Sequence, residues 1–167
     1  KIYTFEDGLE KHGLAPENVD IVIHTHLHMD HCENDFKCTN ARFYVHEKEM
    51  ESIHNPHPLD YRYLDDYIDD IEENNQIEVV TKDTQIVDGI RVKHTPVHTK
   101  GGLTVFIDTP RGAAASTGFC VIDENYDPPL GIKGMEMEVI PAGTHVNAYD
   151  AYDIMLEVKK EADILIP

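Results

Sequence analysis

Basic side chains and long apolar runs are scarce in this sequence. Fourteen lysine and arginine residues stand against thirty-two acidic ones, which leaves a net charge of -18. Such a charge repels phosphate backbones and anionic lipids, so we expect no nucleic-acid partner and no membrane partner. No apolar run approaches the roughly 20 residues that a membrane-spanning helix needs, which supports the same expectation.

Cysteine pairs are also lacking. Cys32, Cys38 and Cys120 are odd in number and form no CxxC motif. A disulfide framework is therefore not expected, and a reducing, cytoplasmic setting is the prediction. The composition, 41% hydrophobic and 28% charged over 167 residues, suits one globular domain over residues 1–167.

The elements that are present alternate between short strands and helices, and no linker divides them. We predict helices at residues 4–12, 47–53, 58–74 and 147–160. Strands are predicted at residues 19–23, 42–45, 77–80, 85–87, 90–94, 103–108, 113–117 and 163–166. The apolar face of the 58–74 helix would consist of Leu64, Tyr67, Ile68 and Ile71. This order predicts a mixed α/β (α+β) fold with sheets covered by helices.

Histidine is the unusual component of the composition, with eleven residues unevenly spread. His26, His28, Asp30 and His31 form an HxHxDH arrangement directly after a predicted buried strand. Strand alternation points His26 and His28 the same way, and the following turn brings Asp30 and His31 from another direction. Imidazole and carboxylate are the usual ligands of zinc and related ions, so one loop could supply two metal subsites.

These residues resemble the signature of the metallo-β-lactamase superfamily. The segment that begins at His94, HTPVHTKGG, is similar to the second motif of that family, in which the second histidine is a ligand. The resemblance implies an αββα sandwich, here incomplete at both termini. It also implies His26, His28 and His98 as ligands of a first ion, and Asp30 and His31 as ligands of a second.

The chain departs from the family pattern at three places, one of them being that the family begins with strands that would lie before Lys1. Phe119 stands where the family has a metal-bridging aspartate, and Cys120 follows it. The terminal histidine of the family would follow Pro167, so we expect the chain to be part of a longer one. His145 and Cys120 are further candidates for the metal or the pocket, although we expect Cys120 to be a buried structural residue first.

Among its relatives the sequence looks most like the N-acyl homoserine lactonase family. The resemblance implies a zinc-dependent, quorum-quenching hydrolase with one or two ions, Mn or Fe being alternatives. Hydroxide generated at the metal would open a small lactone or ester, and Asp30 would orient it and pass a proton to the leaving alkoxide. A homodimer is one option for its assembly.

Three other functions stay open at this point. A glyoxalase-II-like thioester hydrolase shares the HxHxDH loop. A non-catalytic metal-binding protein on the same fold would follow from loss of the bridging aspartate. A diiron redox protein fits less well, because such proteins carry an acidic ligand where this chain has Phe119.

Overall fold

The structure, a computed structural model, describes residues 3–167. Its chain divides into two compact units, one ending at Val80 and the other spanning Thr81–Pro167. The interpretation of residues 1–167 as a single domain stays a prediction. Across residues 3–167, no helix combines the length and the apolar character that a membrane span requires.

The first unit contains a three-stranded parallel sheet in the order β1 (Ile21–Ile23), β2 (Arg42–His46) and β3 (Ile77–Val80). Its helices are α1 (Phe5–Glu10), α2 (Met29–Cys32), α3 (Glu47–His54) and α4 (Asp69–Glu73). Helix α1 begins with a capping box, in which Thr4 and Asp7 bond reciprocally at 3.1 Å. The core of this unit comprises Leu27, Cys32, Cys38, Ala41, Phe43, Val45, Ile53, Tyr63, Ile68 and Ile71.

The second unit contains a five-stranded sheet whose strands follow one another in chain order: β4 (Thr84–Val87), β5 (Ile90–His94), β6 (Leu103–Thr109), β7 (Gly112–Ser116) and β8 (Ile164–Ile166). The first four pair antiparallel, and β8 pairs parallel to β7. Its helices are α5 (Leu130–Lys133) and α6 (Ala148–Glu161). The core of this unit comprises Val97, Phe106, Ala115, Phe119, Cys120, Tyr126, Val139, Ala151, Met155 and Val158.

The strand predictions agree with the structure to within two residues at each end. The final helix is also confirmed: Asn147 accepts hydrogen bonds from the backbone of Tyr149 and Asp150, as a helix N-cap does. Short apolar, β-branched runs bounded by turn residues were sufficient to locate the strands.

The predicted helix over residues 58–74 is wrong. In its place the structure has an irregular segment, a 3-10 turn at Asp65–Tyr67 and only then α4. The Arg62 carbonyl accepts a hydrogen bond from Met29 N at 2.9 Å instead of from a residue further along a helix. As a result Ile68 and Ile71 are buried as predicted, whereas Leu64 and Tyr67 are exposed.

Candidate metal centre

Residues 26–31, which we call the ligand loop, carry the HxHxDH motif in the first unit. Strand β1 ends at Ile23, Thr25 lies at a bend, and His28 caps α2 with φ -64° and ψ 147°. His28 is therefore on extended backbone, and Asp30 and His31 are on the helical turn that follows. The loop therefore presents two kinds of donor from two local conformations, as the sequence predicts.

The imidazoles of His26 and His28 are buried and close together. His26 and His28 have ring centroids 4.7 Å apart in an edge-to-face arrangement. A ligand atom of one lies within 4.8 Å of a ligand atom of the other. The His31 ring centroid lies 3.9 Å from that of His26, so three imidazoles form one group within this unit.

Asp30 and His31 differ from this pair in being exposed to solvent. The Asp30 side chain is 72% exposed, and its Oδ2 lies 3.7 Å from His31 Nε2. That distance is too long for a hydrogen bond, so the two groups are neighbours without a fixed geometry. An accessible carboxylate beside buried imidazoles can exchange a proton with water or substrate.

The buried imidazoles of His26 and His28 also contact residues outside the motif. His28 Nε2 lies 3.3 Å from Asp60 Oδ2, and His26 Nδ1 lies 3.1 Å from Thr25 Oγ1. An ionised carboxylate only accepts hydrogen bonds, so this contact suits an N–H group at His28 Nε2. Metal-ligating histidines commonly have such an outer carboxylate partner.

His98 lies in the second unit, in the loop between β5 and β6. Its Nδ1 donates to the Thr144 carbonyl oxygen at 3.0 Å, which leaves the lone pair on Nε2. Thr95 N donates to Gly102 O at 2.7 Å and closes the loop. A Cβ on Gly102 would lie 2.7 Å from Thr95 O, so only glycine fits this closure.

The other histidines singled out in this unit make contacts of their own. His145 follows Thr144 in the chain, is exposed, and donates from Nδ1 to Ala142 O at 2.9 Å. His94 places Nε2 at 2.9 Å from Lys100 O.

Comparison with known proteins agrees with these observations. The profile of the metallo-beta-lactamase superfamily matches residues 2–118. The chain belongs to this superfamily. An N-acyl homoserine lactonase from a Bacillus species is 24% identical over 134 residues, which cover 78% of this chain and 50% of that protein. The chain thus spans about half the length of the curated relatives it matches.

Two solved structures are similar in fold. One is an N-acyl homoserine lactone hydrolase with N-hexanoyl-L-homoserine bound at its catalytic metal centre; its TM-score is 0.72 at 22% identity, over 96% of this chain and 60% of that chain. The other is a mutant of Bacillus thuringiensis AiiA with N-decanoyl-L-homoserine at the active site, with the same TM-score, identity and coverage. The predicted family and the predicted mixed α/β fold are confirmed.

Phe119 and Cys120 lie shortly after strand β7 in the second unit. Both side chains are buried and belong to the core of the second unit. Burial raises the pKa of the Cys120 thiol to about 11, so the neutral thiol is favoured, whereas metal ligation requires the thiolate. This environment fits a structural cysteine, and Phe119 has no donor atom.

Sequence reasoning missed several residues that hold the ligand loop. Glu49 Oε2 accepts from Leu27 N and from the Tyr63 hydroxyl, both at 2.9 Å. Of these residues, only Glu49 could have been recognised from the sequence. It lies four residues before Ile53 on the buried face of α3, where a carboxylate needs an internal partner. Nothing in the sequence marks Asp60 or Thr144.

The donor set fits a transition-metal ion. Buried neutral imidazoles are favoured ligands of Zn and related ions, and burying two of them side by side without such a role is costly. His28 Nε2 lies within hydrogen-bond distance of the Asp60 carboxylate, an outer contact that is common at metal-binding imidazoles. The first unit therefore contains the ligand chemistry that the superfamily assignment implies.

Proposed function

We propose that the chain carries the metal centre of a hydrolase that opens a lactone or an ester, similar to the N-acyl homoserine lactonases. The observation that carries the proposal is the buried pair of imidazoles, His26 and His28, whose ring centroids lie 4.7 Å apart. Superfamily membership and the lactonase relatives support the same activity.

The ligands in this proposal come from both motifs. His26, His28 and His98 would hold a first ion, and Asp30 and His31 would contribute to a second. Zn²⁺ is the proposed metal because imidazole is its usual protein ligand, with Mn or Fe as alternatives. His145 and Cys120 remain secondary candidates. When bound, such an ion lowers the pKa of water and polarises a substrate carbonyl.

Asp30 is the proposed catalytic residue, and its exposure suits that role. Its carboxylate would orient the attacking water and accept a proton at Oδ. It would then deliver that proton to the alkoxide as the carbon–oxygen bond of the ester breaks.

The proposed substrate is a small molecule, as it is for the lactonase relatives, and quorum quenching would follow if the lactone is an acyl homoserine lactone. A reducing, cytoplasmic setting belongs to the same proposal. It is supported by three buried cysteine thiols that form no disulfide.

The test combines elemental analysis with hydrolysis assays on this chain. Protein loaded with Zn²⁺ or Mn²⁺ is assayed with N-acyl homoserine lactones, simple lactones, aryl esters and a thioester. We expect bound metal and lactone or ester turnover. His28→Ala should remove both, because it deletes one of the two buried imidazoles.

His12→Ala is the matched control, since His12 is an exposed histidine of the same unit. It should leave metal content and turnover unchanged. Turnover of the thioester alone would replace the lactonase proposal with the thioester-hydrolase alternative. Metal content near zero in the wild-type protein would contradict the proposed function altogether.

A further inference from the structure

Residues 60–63, which we call the support segment, contact the ligand loop at three points. Asp60 Oδ2 lies 3.3 Å from His28 Nε2. Arg62 O accepts from Met29 N at 2.9 Å, and the Tyr63 ring centroid lies 4.7 Å from that of His28. Two of these contacts involve His28 itself, and the third fixes the residue after it.

Asp60 is in turn held by a neighbour within the support segment. Arg62 donates to Asp60 Oδ1 from Nε at 3.0 Å and from Nη2 at 2.8 Å. Because Arg62 donates two N–H groups to Oδ1, the Asp60 carboxylate presents acceptor oxygens to His28 and accepts from the imidazole.

The proton on Nε2 decides which nitrogen of His28 can bind a metal. A neutral imidazole has one N–H and one lone pair, so a proton at Nε2 leaves the lone pair at Nδ1. In the other tautomer the Nε2 lone pair would face the carboxylate, with no proton between them. That arrangement is unfavourable inside a buried site, where His28 is only 1% exposed.

We propose that Asp60, oriented by Arg62, is a positioning residue that keeps His28 in the tautomer with Nδ1 as the ligand atom. The inference rests on the proposed metal centre and adds to it a carboxylate that lies 32 residues beyond its histidine. The support segment thus has a function in the centre itself. Asp60 touches neither substrate nor reacting atoms.

The competing interpretation is an ordinary surface ion pair. The side chains of Asp60 and Arg62 are 26% and 27% exposed, and partly exposed ion pairs often contribute little to stability. In that case the contact with His28 would be incidental. Metal affinity and the tautomer of His28 distinguish the two interpretations, because an ion pair without a role in positioning changes neither.

The first experiment measures the Zn²⁺ affinity of the full chain by competition with a chromophoric chelator. Asp60→Ala should weaken binding by about 10- to 100-fold, as loss of an outer-shell partner does. Asp60→Asn keeps an acceptor oxygen and should recover part of that loss. Asp66→Ala is the matched control, because it removes an exposed carboxylate from the neighbouring 3-10 turn.

The second experiment reads the tautomer in metal-free protein by long-range ¹⁵N–¹H NMR of the imidazoles. His28 should carry its proton on Nε2 in the wild type and in Asp60→Asn, and should become a mixture in Asp60→Ala. Circular dichroism of each variant checks that it is folded. If the alanine variant is not, the partial loss of Zn²⁺ affinity expected in Asp60→Asn is the test, and wild-type affinity in that variant overturns the inference.

Wild-type affinity in Asp60→Ala, or an equal loss in Asp66→Ala, would overturn the inference while leaving the metal centre in place. An unchanged His28 tautomer in Asp60→Ala would overturn it too. Failure of the wild-type chain to bind Zn²⁺ would instead contradict the proposed function, and the NMR measurement would still decide the role of Asp60.

Discussion

At the scale of single residues, Glu49 is the main connection between the ligand loop and helix α3. The side chain is 1% exposed, and one of its oxygens accepts two hydrogen bonds, from Leu27 N and from the Tyr63 hydroxyl. Leu27 lies between the two buried histidines, so Glu49 fixes the backbone at the centre of the motif. A carboxylate at this depth is stable only while both donors are present.

Glu49→Gln should therefore destabilise the protein. The amide offers one acceptor but adds an NH2 group that needs a partner in a site built for two donors. We expect the free energy of unfolding to fall by about 1–3 kcal/mol, the usual cost of an unsatisfied buried group. Urea denaturation followed by circular dichroism measures the change.

Glu51→Gln is the control for this variant, because Glu51 is exposed on the same helix. It should lie within about 0.5 kcal/mol of the wild type. Equal effects of the two substitutions would mean that the Glu49 hydrogen bonds contribute no more than a surface charge.

The residues that sequence could and could not predict differ in how far their partners lie along the chain. His26, His28, Asp30 and His31 are adjacent in sequence and share one local turn, so their spacing alone predicts a metal site. Asp60 acts on His28 from 32 residues away through one side-chain contact. No periodicity records a contact of that kind, and only the folded chain reveals it.

At the scale of elements, the same difference explains the wrong helix. The spacing of Ile68 and Ile71 is helical, and both are buried at the start of and within α4. The predicted helix began earlier because Leu64 and Tyr67 are apolar residues at the same helical spacing. The Arg62 carbonyl is occupied by Met29 N, so tertiary pairing with the ligand loop prevailed over helix propensity in this stretch.

Strand β5 and helix α6 are joined by a cluster of charged side chains in the second unit. Lys93 pairs with Glu161, and it also approaches Glu157 at 3.2 Å. Arg91 lies 3.3 Å from Glu161 and over the Phe106 ring. Burial raises the pKa of Glu161, but Lys93 and Arg91 outweigh it, so the pKa falls below its ordinary value of 4.5.

This shift predicts a pH dependence for Glu161→Gln. Because the folded-state pKa is depressed, the ion pair contributes stability above pH 4.5 and loses it as the pH falls through the folded value. Since Glu161 is 37% exposed, solvent screening limits the contribution to about 1 kcal/mol or less. The variant should be less stable than the wild type at pH 7 and nearly equal to it at pH 3.

Thermal unfolding at the two pH values measures this difference. Glu124→Gln removes a carboxylate from an exposed 3-10 turn of the same unit and should show no such dependence. A loss of stability in Glu161→Gln that is the same at both pH values would assign the effect to packing instead of charge.

At the scale of the whole molecule, the excess of acidic side chains opposes folding. The net charge is -18, and a dense part of it lies at residues 65–73, where most of the carboxylates are exposed. Repulsion among like charges destabilises the compact state, since unfolding separates them. Exposed ion pairs such as Arg42 with Glu78 act in the opposite sense, but each is worth about 1 kcal/mol at most.

Added salt weakens both effects, so its net influence shows which of them is larger. At about 0.1 M ionic strength the Debye length is about 10 Å, which screens the long-range repulsion of the whole charge more than pairs in direct contact. We therefore expect the melting temperature of the metal-free protein to rise between about 0.02 and 0.2 M NaCl. The rise should be about 2–4 °C for each kcal/mol of repulsion removed.

KCl is the control and should raise the melting temperature equally, because screening does not depend on the identity of the cation. A fall in melting temperature would mean that the ion pairs, among them those of Glu161, outweigh the repulsion of the acidic surface.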